Sequence, residues 1–119
     1  MEADKLQMPN FAEIELKVRR WVWFFNSRGV ETFWSCEGGN GHVAKFPTLI
    51  WPCSDPIQAG QLAQRIEKLL VDHGVRDFYS AVRYRYGLPD RPASVSVVVE
   101  FFGADDPANA WVLREWGGN

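Results

Sequence analysis

The sequence predicts an α+β fold: a two-layer sandwich with a mixed sheet on one side and helices on the other, built as one domain over residues 1–119. Two amphipathic segments, each opened by a capping residue and closed by a glycine, supply the helical layer. Two pairs of short β-branched and aromatic runs supply the sheet. Their succession along the chain is α-β-β-α-β-β, with a third helix expected at the C-terminus.

Asn10 is an N-cap, Glu13 completes a capping box, and Gly29 supplies the stop, so the first helix is expected over residues 11–28. Phe11, Ile14, Val18, Trp21, Val22 and Phe25 recur at helical spacing and form its core stripe. Leu16 and Trp23 fall on the polar side. Trp23 is there either covered by the stems of Arg19 and Arg20 or buried against a second copy of the chain, which leaves a homodimer open. Residues 30–36 and 48–53 read as a strand and its hairpin partner. Asp55 then caps a second helix, with Pro56 at its first position, Gln58 completing a capping box and Gly74 at its end. Ala59, Leu62, Ala63, Ile66, Leu69, Leu70 and His73 make its inner stripe, and Gly60 invites a close neighbour.

From Phe78 to Tyr86 the chain alternates, with Ser80, Val82, Tyr84 and Tyr86 on one face and Tyr79, Ala81, Arg83 and Arg85 on the other. Residues 94–102 are rich in valine, and this strand is expected at the sheet centre. Asp106-Pro107 repeats the helix-start signal of Asp55-Pro56, so 107–116 is expected to be helical. In this order the third strand runs parallel to the second. One rim of the sheet then collects the start of helix one, the loop after the first strand, His73, Arg76, Asp77 and the turn at 103–106. Cys53 falls at the other end from Cys36, too far for a disulfide.

Apolar residues at 46% and charged residues at 24% exclude wholesale disorder. A net charge of -2 argues against non-specific binding to a nucleic-acid backbone, although a local basic patch remains compatible with it. No apolar run approaches the roughly 20 residues of a membrane span, and Met1-Glu2-Ala3-Asp4-Lys5 lacks the layout of a secretory signal. No membrane contact and a cytoplasmic location are therefore expected, with both cysteines reduced.

The segment most suggestive of function runs from Thr32 to His42, where three glycines, a thiol, a carboxylate and an imidazole gather in one loop. Backbone N–H groups of Gly38, Gly39 and Gly41 suit a nest for an anion or polar ligand. Thr32 and Ser35 offer hydroxyls, Glu37 an acceptor, His42 a switchable donor, and Arg76 a cation from the same rim. Alternatively the glycines form only a wide hairpin, Cys36 is a small buried hydrophobe and His42 caps a carbonyl. A Cys36–His42 nucleophile and base, or a metal held by Cys36, Glu37, His42 and His73, are weaker readings, the latter because no pair has zinc-finger spacing. Elsewhere, Arg83 and Arg85 with Tyr79, and with Trp51 or Glu100 across the sheet, either make an anion- or base-stacking platform or cover the solvent side.

Residues 29–42, followed by Pro47, resemble a signature of small bacterial and phage proteins of uncharacterised function that carry a Ser-Cys-Glu-Gly-Gly-x-Gly-His loop after a helix. That resemblance spans about the first half of the chain. Thr32, Ser35, Cys36 and Gly38 are also similar to the Thr-x-x-Ser-Cys-x-Gly element of the wybutosine-synthesis methyltransferase family, which uses S-adenosylmethionine to methylate a modified guanosine in transfer RNA. The two resemblances imply a small polar or nucleotide-like ligand at the loop and, for a phage protein, a host-directed or anti-defence role with a host protein as partner. No cofactor is assigned to this chain. A pure interaction module and a small transferase or hydrolase using Cys36, Glu37 and His42 are the alternatives.

Overall fold

A computed structural model of the chain describes residues 14–39, 41, 44–87, 89–90 and 93–117. Asn10, Phe11, Glu13 and His42 lie outside the described residues. Strands β1 (Trp34–Cys36), β2 (Thr48–Cys53), β3 (Phe78–Arg85) and β4 (Ser94–Phe101) form one sheet in the order β1-β2-β4-β3. Helices α1 (Arg19–Asn26), α2 (Pro56–Asp72) and α3 (Ala110–Trp116) complete an α+β architecture.

The expected mixed sheet is instead antiparallel at every strand pair. β2 and β3 do run the same way, as expected, but they are not neighbours because β4 lies between them. The cause is in β4 itself. Val95, Val97 and Val99 face the helices, and Val98 is buried on the opposite face, so this strand needs cover on both sides and takes a central place. Two hairpins, β1–β2 and β3–β4, therefore meet along β2 and β4.

The first strand is also shorter than the predicted 30–36, because residues 30–32 are committed elsewhere. α1 ends in a Schellman motif. Gly29, at φ 83°, donates to Asn26 O (3.2 Å), and Val30 N donates to Phe25 O (2.9 Å), which draws Val30 into the core. Glu31 O then accepts from the indole of Trp51 (2.9 Å), and Thr32 Oγ1 accepts from Asn26 Nδ2 (2.9 Å). α2 closes with the same device: Gly74 N to Val71 O and Val75 N to Leu70 O, both 3.0 Å. Its start follows the sequence reading, with Asp55 Oδ1 accepting from Gln58 N (2.8 Å). The Gln58 side chain reaches one residue beyond the cap, where its Oε1 accepts from Ser54 N and Oγ.

Before α1, residues Leu16–Val18 form a 3-10 turn, so the described part of this helix is shorter than 11–28. Val18, Trp21, Val22 and Phe25 face the core as predicted. Trp21 stacks on Phe101 (4.1 Å, 12°) and Phe25 meets Trp51 edge-on (5.1 Å). Phe24, off the predicted stripe, is equally buried, because Trp111 of α3 and His73 at the end of α2 cover it. Trp23 is half-buried under the Arg28 guanidinium, 5.3 Å from the ring, and not under Arg19 or Arg20, which donate to Ile14 O and Ala104 O. The C-terminal segment is helical: Asp106 Oδ1 caps a 3-10 turn that leads into α3.

Helices cover one face of the sheet only. On the other, the register aligns Cys36, Thr48, Glu100 and Tyr79 in one row, Trp34, Ile50, Val98 and Ala81 in the next, and Pro52, Ser96 and Arg83 in a third. Among the described residues no helix is long and apolar enough to cross a membrane.

Candidate functional site

The rim assembles largely as the topology requires. The glycine loop docks on the start of the first helical segment: Glu37 N donates to Glu15 Oε1 (2.9 Å) and Lys17 N donates to Glu37 Oε1 (3.2 Å). Gly38 is held at φ 81°, and a Cβ there would collide with the backbone of Phe46, 2.6 Å from its Cα. Gly39 N donates to Ala44 O (3.1 Å), which closes the loop on its returning arm. One N–H of the expected nest is thus already engaged inside the hairpin. Gly41, also at positive φ, is exposed.

The other sequence-derived site residues disperse. Thr32 is tied to Asn26 at the far end of α1. Ser35 pairs with Leu49 and so faces the helices, while Cys36, opposite Thr48, is only 5% exposed and out of reach of a substrate. Arg76 precedes β3, at the opposite edge of the sheet from β1, with its backbone N–H and carbonyl both bonded to Asn109. His73 Nδ1 lies 2.8 Å from Leu69 O, its ring stacks on Trp111, and Arg28 Nε donates to its Nε2 (3.4 Å). Trp51, named with Arg83 and Arg85, is on the helix side instead. No cluster of three or more His, Cys, Asp or Glu side chains that could hold a metal occurs among the described residues.

Two clefts flank the returning arm and share Lys45. The loop-side cleft, ≈ 250 Å³, brings Lys17 and Lys45 beside Glu37 and Asp105, with Gly38 and Gly39 in its wall. Its two cations already face two carboxylates. The sheet-side cleft, ≈ 310 Å³, is lined by Trp34, Ala44, Lys45, Thr48, Ile50, Arg83 and Glu100. Here two cations meet one carboxylate, and apolar Trp34 and Ile50 border them. Next to it Phe46, Phe102 and Tyr79 form an exposed aromatic row, with centroids 4.8 and 6.1 Å apart.

Arg83 and Glu100 were legible from strand alternation, but Lys45, Thr48 and Ile50 were not. The only signal for Lys45 was a cation one residue from the loop's closing Phe46-Pro47. Comparison with protein-family models, with curated proteins and with solved structures finds no match.

Proposed function

We propose that the protein is a cytoplasmic binding domain for a small planar anion of the nucleotide class, seated in the sheet-side cleft. The observation that supports this most is the meeting of Lys45 and Arg83 with the Trp34 ring in one cleft. A nucleobase lies against Trp34 and Ile50, Glu100 accepts from a ring N–H, and the phosphate is neutralised by the two cations. The glycine loop acts as scaffold, fixing the arm that carries Lys45. The resemblance to bacterial and phage proteins makes a host signalling nucleotide a natural ligand and a host-directed, anti-defence role its context.

Titration calorimetry with AMP, ATP and inorganic phosphate tests the reading. Binding of the nucleotides is expected to weaken about tenfold or more in Arg83→Ala, Lys45→Ala and Trp34→Ala, with phosphate alone far weaker. If Lys17→Ala abolishes binding while Arg83→Ala leaves it intact, the ligand sits on the glycine side. If none of the three compounds binds, the reading fails.

A further inference from the structure

We propose that the chain pairs with a second copy of itself through the outer edge of β3, so that two sheets join into one about a two-fold axis. β3 ends the sheet and presents eight residues, Phe78–Arg85, whereas the opposite edge, β1, has three. An exposed strand edge is normally guarded by proline, lysine or a bulge. β3 has no proline, lysine or bulge, and its two charges, Arg83 and Arg85, are confined to its C-terminal end: its sequence is Phe-Tyr-Ser-Ala-Val-Arg-Tyr-Arg, and its register with β4 runs unbroken from Phe78↔Phe101 to Arg85↔Ser94.

The strand is complementary to itself. With Ala81 on the axis of an antiparallel pair, Tyr79 stands opposite Arg83 of the second copy, both on the open face. On the helix side Phe78 meets Tyr84 and Ser80 meets Val82. Placing Arg83 on the axis would set like charges against each other, whereas the Ala81 register gives each Arg83 an aromatic partner.

An independent feature of α2 points the same way. Ile57, Gly60, Gln64, Glu67 and Val71 fall on one stripe at helical spacing. Glu67 Oε2 accepts from Ser80 Oγ (2.8 Å), which places that stripe along β3. Ile57 and Val71, 74% and 63% exposed, are the two large exposed hydrophobics of the helix, and both belong to it. Among the described residues a Cβ on Gly60 would meet nothing within 4 Å, so none of them uses its close-approach surface. Two such helices, antiparallel about Gln64, bring Ile57 opposite Val71 of the second copy and leave Gln64 at the crossing, with Gly60 about one turn away. Strand edge and helix stripe thus require the same partner in the same orientation.

Sedimentation equilibrium over about a hundredfold concentration range tests this on the full chain. A monomer–dimer equilibrium is expected, weakened about tenfold or more by Val71→Glu, an exposed position that leaves the fold intact by circular dichroism, and likewise by Ala81→Lys, which sets two ammonium groups on the axis. A protein that stays monomeric throughout overturns the proposal. So does a dimer unmoved by both substitutions, or a larger heterologous assembly. Nucleotide titration of Val71→Glu keeps this outcome separate from that of the cleft.

Discussion

The two faces of the sheet are made by the same strands, yet neighbouring residues on them live under different rules. Toward the helices, Val97, Val99, Leu49 and Phe101 are sealed in one core with Trp21 and Phe25, where every substitution acts on the whole fold. On the other side Val98, Thr48 and Cys36 are buried, and around them Trp34, Phe46, Tyr79 and Phe102 remain 37–47% exposed beside Lys45, Arg83 and Glu100. One face holds the fold together. The other leaves aromatic and basic side chains exposed side by side, and it is from these that the proposed ligand site is drawn.

The sharpest way to break this comparison is to place the same charge on successive residues of β4. Val97→Asp, facing the helices, is expected to cost more than about 4 kcal/mol and abolish folding, while Ser96→Asp, facing out beside Arg83, stays within about 1 kcal/mol. Urea denaturation of the two variants reads the difference. A mild Val97→Asp would mean that the helical layer is not the core.

A second test separates scaffold from site in the glycine loop. Gly38→Ala forces a Cβ into the Phe46 backbone at positive φ and should lower stability by about 2–3 kcal/mol, whereas Gly39→Ala, with open space around it, loses about 1 kcal/mol. Equal losses, measured by thermal unfolding, would show that the returning arm is not pinned there. On the capping side, Asp55→Ala should cost about 1 kcal/mol by removing the acceptor of Gln58 N. The smallest effect is pH-dependent. Burial, and secondarily the Asp55 charge, push the Cys53 thiol above its ordinary 9.0, although a Val97 backbone hydrogen bond opposes them. Its contribution to stability is therefore full below pH 9 and is lost as pH rises through the folded value. Cys53→Ser should flatten that alkaline decline in a stability-versus-pH series.

Much of the fold was legible because local signals carried it. The Asp55-Pro56 start, the glycine stops at 29 and 74, and the alternation of β3 each depend on residues a few positions apart. What was missed depended on distant partners: the antiparallel pairing of every strand, Phe24 buried by α3, and Trp51 turned toward Phe25. The candidate site divided in the same way. The loop drew notice by its composition, but Gly38 and Gly39 are explained by Phe46 and Ala44, contacts that no spacing reveals. The better ligand chemistry lies where the returning arm crosses the strands, and Lys45 and Arg83 are brought together there only by folding.

The central position of β4 also sets a timetable. During synthesis the β1–β2 hairpin leaves the ribosome early, and β3 follows after α2, yet β3 cannot find its sheet partner, nor β2 its second one, until residues 94–101 have emerged. Trp21 likewise waits for Phe101, and Arg20 for Ala104, across more than two-thirds of the chain. Until then the nascent protein carries a two-stranded hairpin, an unpaired β3 and an uncovered aromatic helix, with collapse deferred to the last stretch. A chain interrupted before β4 has only the β1–β2 hairpin in place of a four-stranded sheet, too little to stand alone, and is a substrate for chaperones and proteases.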